Sequence, residues 1–216
     1  MKLYFQIKYQ KAFDIPRVII CLGFLFVVFN YQSQGKTPNF SSAEKTWIEQ
    51  QDTVFFGYDP NWMPYEFINS KGAHDGIMSE IIEIIQKRSG LNICPFPGLG
   101  WTESLDALST KKVQFLSCLG KTEERIQEMS FTSAHLSSPF VIINSKDGDF
   151  VGGIEDIKNL RVALPRGYLI SGLIERDYPS IKIIYTDDIE DAFLKIITGK
   201  ADVTMELLPV ASYYMN

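Results

Sequence analysis

The chain has 216 residues, 45% hydrophobic and 22% charged. That is ordinary for a globular protein with a core, and it excludes disorder, collagen-like repeats and coiled coil as the main architecture. Three cysteines exclude a disulfide-stapled miniprotein, and 21 basic against 26 acidic residues, a net −5, give no support to nucleic-acid binding.

The charge is unevenly spread. Residues 1–40 hold Lys2, Lys8, Lys11, Arg17 and Lys36 against Asp14 alone, a net of +4, and residues 41–216 hold 16 basic and 25 acidic groups, a net of −9. A basic head on an acidic body places the two parts in different compartments. Within the head, residues 18–29 read VIICLGFLFVVF, twelve apolar residues behind four basic ones. A comfortable membrane span needs roughly 20 residues, so this run fits a signal-peptide core, with the basic residues on the inner side. No small-x-small cleavage site follows, which leaves a signal peptide or a membrane anchor over residues 1–40. Ile20 before Cys21 argues against lipidation, where a small residue is wanted. Either way, residues 40 onward are expected outside the cytoplasm.

The body alternates strands and helices. Residues 53–58 (TVFFGY) form a β-rich run closed by Asp59-Pro60, hence a strand. Residues 76–89 carry Ile77, Ile81, Ile82 and Ile85 at helical spacing and stop at Gly90. A strand is expected over 91–96, then a helix with Leu105 and Leu108 that Thr102 caps. Strands follow over 113–119, 140–144 and 160–164. A helix over 168–178, a strand over 181–185 and a helix through Ile189, Ala192, Phe193, Ile196 and Ile197 come next. Asp187 or Asp188 caps that helix and Gly199 ends it; the last strand is 201–205. This alternation predicts an α/β fold of right-handed βαβ units with mostly parallel sheets. Residues 132–139 and 146–153 break the rhythm, which puts a boundary between two lobes there: lobe 1 over about 50–140, lobe 2 over about 150–216.

The chemical inventory is thin. His74 and His135 are far apart in loop-like sequence, read as surface residues, and no metal site is expected. No phosphate loop, Gly-x-Ser-x-Gly or Gly-x-Gly-x-x-Gly occurs. Cys94 and Cys118 lie on separate strands and read as buried free thiols, although an oxidising compartment would let them pair. The acidic run at 187–191 reads as a helix start favoured by the dipole.

Two segments stand out. Gly57-Tyr58-Asp59-Pro60-Asn61-Trp62-Met63-Pro64-Tyr65-Glu66-Phe67 leaves a strand end with a carboxylate and aromatics braced by prolines. Ligands bind at such strand ends in open α/β sheets, and proline-held aromatics make a rigid wall there. Gly120-Lys121-Thr122-Glu123-Glu124-Arg125 also follows a strand, and its arginine can hold a carboxylate by a bidentate pair.

The order of these motifs resembles the family 3 solute-binding proteins, with their two-lobed type 2 periplasmic binding protein fold. The matching residues are residues 59–67 as quoted, Gly76, Trp101, Thr122-Glu123-Glu124-Arg125, Phe131-Thr132, Leu160-Arg161-Val162-Ala163 with Gly167-Tyr168, and Gly199-Lys200-Ala201-Asp202, covering about residues 45–216. The lead-in Ser42-Ala43-Glu44-Lys45-Thr46-Trp47-Ile48 and Pro209-Val210-Ala211-Ser212-Tyr213 are most similar to the version serving as extracytoplasmic sensor of histidine kinases and cyclic-di-GMP enzymes. The resemblance implies binding of a small carboxylate-bearing, amino-acid-like solute between the lobes, for sensing or transport, without catalysis and without a cofactor. It implies Arg125 on the ligand carboxylate with Thr122 in its motif, and Trp62, Tyr65 and Trp101 stacking on the ligand. Asp59 would line the cleft, and Gly167 and Tyr168 would add contacts from the second lobe. A signalling or transporter partner follows from the same resemblance.

The sequence departs from the family in two ways. Leu207 stands where an acidic residue usually meets a ligand ammonium, with Glu206 one step early, and Gly120 stands where a hydroxyl residue is common. The chain also stops soon after the Ala-Asp strand, where the family returns to the first lobe, so the second lobe is expected to be incomplete. Two other readings stand beside binding. One is a cyclohexadienyl dehydratase-like enzyme on the same fold with Glu206 or Glu66 as general acid; the other is an inactive relic.

Overall fold

The structure is a computed structural model and describes residues 38–215. The apolar run at 18–29 and Cys21 fall outside the described residues. In chain order the first elements are α1 (Ser42–Glu49), β1 (Val54–Gly57), β2 (Asn61–Trp62), β3 (Glu66–Ile68), β4 (His74–Asp75), α2 (Ile77–Ser89), β5 (Ile93–Pro95), α3 (Trp101–Ser109), β6 (Phe115–Leu116) and α4 (Arg125–Glu128). Then come β7 (Phe140–Asn144), a 3-10 turn (Ile154–Ile157), β8 (Val162–Pro165), α5 (Leu169–Asp177), β9 (Ile183–Thr186), α6 (Ile189–Ile197), β10 (Val203–Leu207) and α7 (Leu208–Met215). Among the described residues no helix is long and apolar enough to cross a membrane.

The first lobe is built on a parallel three-stranded sheet, β5-β1-β6. The central strand alternates apolar residues into a small core of Val54, Phe56, Tyr58, Ile82 and Ile93. Helix α2 turns Met78 and Ile82 inward and leaves Ile77, Ile84 and Ile85 exposed. It ends on Gly90, whose φ of 79° is the left-handed C-cap conformation that favours glycine. Helix α3 is capped by the Gly100 backbone and not by Thr102, whose hydroxyl bonds Glu103 instead. The helix begins two residues earlier than a Thr102 cap predicts, and Trp101 is buried at its first position.

The second lobe is built on the four-stranded sheet β7-β10-β8-β9. Strand β10 runs parallel to β8 and antiparallel to β7, so the sheet is mixed. All four residues of β8 are buried, as a strand covered on both faces requires. Helix α6 starts where Asp188 Oδ1 accepts from the Asp191 amide at 2.8 Å, which decides between Asp187 and Asp188 as the cap. It buries Ile189, Ala192 and Ile196 and leaves Ile197 80% exposed.

Three features lay outside the sequence reading. Strands β2-β3-β4 form a small antiparallel sheet over the proline-braced segment and the residues after it. Helix α1 begins in a capping box between Ser41 and Glu44, and α7 directly continues β10. His74 is not a surface residue: its side chain is 6% exposed, edge-on to Phe56 and Tyr58, with Nε2 3.7 Å from Glu66 Oε2. Its short β4 pairing turns the ring inward, which no loop signal conveys. Cys94 and Cys118 are free and half-buried.

Candidate functional site

Between the lobes lies a cavity of about 340 Å³, lined among others by Asp59, Trp62, Tyr65, Trp101 and Arg125 from the first lobe and by Tyr168, Leu169, Glu206 and Leu207 from the second. Residues 131–138, a stretch without regular secondary structure before β7, close one side. Six of the eight residues singled out in the sequence therefore line one cavity. Thr122 and Gly167 do not line it. The Thr122 hydroxyl accepts from the Arg125 amide at 3.2 Å and starts α4, so it places the arginine from behind. Gly167 acts through its carbonyl.

The turn after β1 is held from inside the first lobe. Glu66 is fully buried, its Oε1 accepts from the Asp59 amide at 3.1 Å, and its Oε2 is bonded by the Ser117 hydroxyl. This ties the ends of β1 and β6 together and presents Asp59. Asp59 Oδ1 accepts from the Asn61 amide at 2.9 Å and Oδ2 accepts from the Tyr168 hydroxyl of the second lobe. Burial pushes the Asp59 carboxyl up to about 7, against the pull of these two donors. The Tyr168 phenol is pushed well above its ordinary value by burial and by Asp59.

Arg125 joins the lobes. Its Nη1 donates to Gly120 O and its Nη2 to Gly167 O, both at 2.7 Å. Trp101 Nε1 donates to the same Gly167 carbonyl at 3.1 Å. Gly167 has a φ of 76°, and a Cβ there would lie 3.0 Å from Leu105 Cδ1, so glycine allows both the turn and the approach. A Cβ on Gly120 would lie 2.5 Å from Leu169 Cδ2, so this glycine lets the second lobe reach the arginine. Burial lowers the Arg125 guanidinium below its ordinary value, and no ion pair to it exists among the described residues. Two of the five N–H groups of the guanidinium are thus given to backbone carbonyls.

The aromatic wall is continuous. Trp62 and Tyr65 have ring centroids 4.6 Å apart, and Tyr168 meets Trp62 at 6.3 Å and Trp101 at 6.1 Å, both edge-on. Glu206 is buried beside this wall. Its Oε1 accepts from the Leu207 amide at 2.7 Å, while Oε2 is sealed from solvent without a partner among the described residues. Trp62 Nε1 is likewise unpartnered; it lies near enough to favour the Glu206 carboxylate electrostatically but outside hydrogen-bond geometry. Burial pushes Glu206 up to about 7.

A second set of bonds joins the lobes. Asn61 Nδ2 donates to Asp188 Oδ2 at 2.7 Å and the Tyr214 hydroxyl donates to Asn61 O at 3.1 Å. Asp188 therefore both caps α6 and reaches the first lobe; the acidic run was the available signal, and it was absorbed by the helix start. Among the described residues no cluster of groups suits a metal ion.

A two-lobed α/β architecture, a ligand-sized cavity between the lobes and an arginine on its wall define a solute-binding protein of the type 2 periplasmic binding fold. Residues 54–206 match the family described as bacterial extracellular solute-binding proteins, family 3, and the chain belongs to that family. The described domain is accordingly an extracytoplasmic one. The chain is similar to the virulence sensor protein BvgS of Bordetella pertussis, 25% identical over 180 residues, covering 83% of this chain and 14% of the relative. It is similar to the sensor protein EvgS of Escherichia coli K12, 26% identical over 168 residues, with 78% and 14% covered. The histidine-binding periplasmic protein of the same organism is 28% identical over 129 residues, with 59% and 49% covered. The chain thus spans about a seventh of the length of the sensor relatives. Among solved structures, the BvgS periplasmic VFT2 domain superposes with a TM-score of 0.72 at 24% identity, covering 82% of this chain and 75% of that one. A histidine kinase sensor domain similar to periplasmic binding proteins gives 0.70 at 27% identity, with 76% and 72% covered.

Proposed function

We propose that this protein binds a small carboxylate-bearing solute of amino-acid size in the interlobe cavity and serves as an extracytoplasmic sensory module. The observation that carries the reading is Arg125: a half-buried guanidinium on the cavity wall, held at both ends by backbone carbonyls and paired with no acid among the described residues. Burying a cation without a counter-charge is costly, and a ligand carboxylate supplies that charge through the remaining N–H groups. Trp62, Tyr65 and Trp101 stack on the ligand, and Asp59, Tyr168 and Gly167 hold the second lobe against it. Residues 1–40 act as signal peptide or membrane anchor, lobe 1 spans about 50–140, and lobe 2 begins with β7 at Phe140, before the start near 150 that the sequence suggests, because β7 pairs with β10. Sensing is preferred to transport because sensor proteins are matched over more of this chain than the histidine-binding protein is.

The reading is non-enzymatic. A dehydratase would need an acid that delivers its proton to the substrate. Glu66 is fully buried and committed to Asp59 and Ser117, and the free oxygen of Glu206 is sealed away. The test is calorimetry with a pool of small carboxylates on the parent and on Arg125→Ala. Binding by the parent and its loss in the variant support the reading; a variant that binds like the parent ends it.

A further inference from the structure

The charges that the cavity offers a ligand are one-sided. Arg125 is half-buried and makes no ion pair among the described residues, with only the exposed Glu124 charge acting on it from outside the wall, and the other basic groups on the wall, Lys121 and His135, are exposed. The two acids are spent or hidden. Asp59 accepts from the Asn61 amide and the Tyr168 hydroxyl, one on each oxygen. Glu206 accepts from the Leu207 amide on Oε1, and its Oε2 is closed off from solvent. Burial holds both near the point where half the carboxyls are protonated at neutral pH, which further weakens them as counter-charges. A ligand ammonium would leave water and meet no free carboxylate, which is unfavourable in a closed cavity. The rest of the wall is mostly apolar, with hydroxyl residues only along one edge at Thr132, Ser133, Ser137 and Ser138. Gly120 lets Leu169 press in beside the arginine, and Leu207 faces the same space with Phe140, Trp62 and Tyr65.

We propose that the ligand is a small carboxylic acid with an apolar body and no ammonium group, its carboxylate on Arg125 and its body against Leu169, Leu207, Phe140 and the Trp62–Tyr65 pair. This rests on the carboxylate reading above and narrows it to one class of acid.

The experiment is calorimetry on the full chain with two matched pairs: 4-methylpentanoate against L-leucine, and 3-phenylpropanoate against L-phenylalanine. Each acid is its amino acid without the ammonium. At least one acid is expected to bind, and tenfold or more tighter than its partner. An amino acid that binds as well as or better than its matched acid overturns the inference and leaves the carboxylate reading intact, because both members carry the carboxylate. Silence from all four compounds overturns this inference, while the carboxylate pool on the parent and on Arg125→Ala decides the wider reading separately. Leu207→Asp then sharpens the cause, since it sets a carboxylate on the wall. L-Leucine is expected to rise to at least the level of 4-methylpentanoate in that variant. A folded variant, judged by its melting temperature, with the parent's preference refutes the counter-charge argument.

Discussion

The two lobes solve the problem of burying apolar surface differently. The second lobe has a strand buried along its whole length and two helices turning isoleucines onto it. The first lobe has short strands, a core of five buried residues and an antiparallel flap. Its large site aromatics, Tyr65 and Trp101, pack into the second lobe's core cluster and not into their own. The lobe that supplies five of the six predicted site residues on the cavity wall is therefore the less self-sufficient one. Fewer buried apolar contacts give the first lobe the lower expected local stability, and the well-packed second lobe the higher.

The largest expected effects test this contrast directly. Phe56→Ala empties the centre of the small core and is expected to cost about 3–5 kcal/mol. Leu164→Ala, at the centre of the second lobe, is expected to cost about 2–5 kcal/mol. Hydrogen exchange separates the two: the first change is expected to unprotect β1, β5 and β6 while β8 and β10 stay protected, and uniform loss of protection would contradict the difference between lobes.

Next in size is Arg125→Ala, which is expected to cost about 2–5 kcal/mol of ligand binding, with lysine a poor rescue because a point charge lacks the fork. The sequence alone puts Arg125 only on the ligand, so that the unliganded melting temperature stays unchanged. The bonds to Gly120 and Gly167 O predict that it also falls, by the equivalent of about 2 kcal/mol for charge-assisted bonds.

Gly120→Ala places a methyl group against Leu169 and is expected to cost about 1–3 kcal/mol through the interlobe contact alone. Combining it with Leu169→Ala is expected to recover most of the loss in a thermal melt.

A pH effect is expected from Asp59 and Glu206, each raised by burial to about 7 from an ordinary carboxyl value near 4. The raised native value means that the neutral form fits the closed, folded protein better. The stabilisation they give is full below about pH 4 and is lost as pH rises through about 7. Melting temperatures at pH 5 and pH 8 are expected to differ in favour of pH 5, and the difference is expected to shrink in Asp59→Asn.

The smallest effects lie outside the site. Trp47 is half-exposed on α1, so Trp47→Phe is expected to leave any ligand-induced change in fluorescence intact, whereas Trp62 and Trp101 variants lose it. Ser41→Ala removes the α1 cap and is expected to cost about 1 kcal/mol or less.

Much of this architecture was legible in residue order. Strand β7 matches residues 140–144 because an apolar run between a proline and a polar loop admits little else. The α6 pattern was readable because apolar spacing, an acidic start and a terminal glycine all agree. Strands β5 and β6 came out shorter than their apolar runs, since pairing with β1 decides where the ladder stops. The β2-β3-β4 sheet escaped notice because its strands have two or three residues, too few for periodicity to show.

The same division runs through the site. Proline-braced aromatics after a strand and an arginine after another are local features, so the sequence by itself determined the α/β class, the family and six of the residues on the cavity wall. Only the tertiary structure decided how those residues are spent. Arg125 and Trp101 meet on one Gly167 carbonyl, Tyr168 reaches Asp59 across 109 positions of chain, and Glu206 is sealed against the indole of Trp62. Such pairings depend on how two lobes approach, and nothing in the spacing of residues along the chain encodes the distance between atoms that far apart.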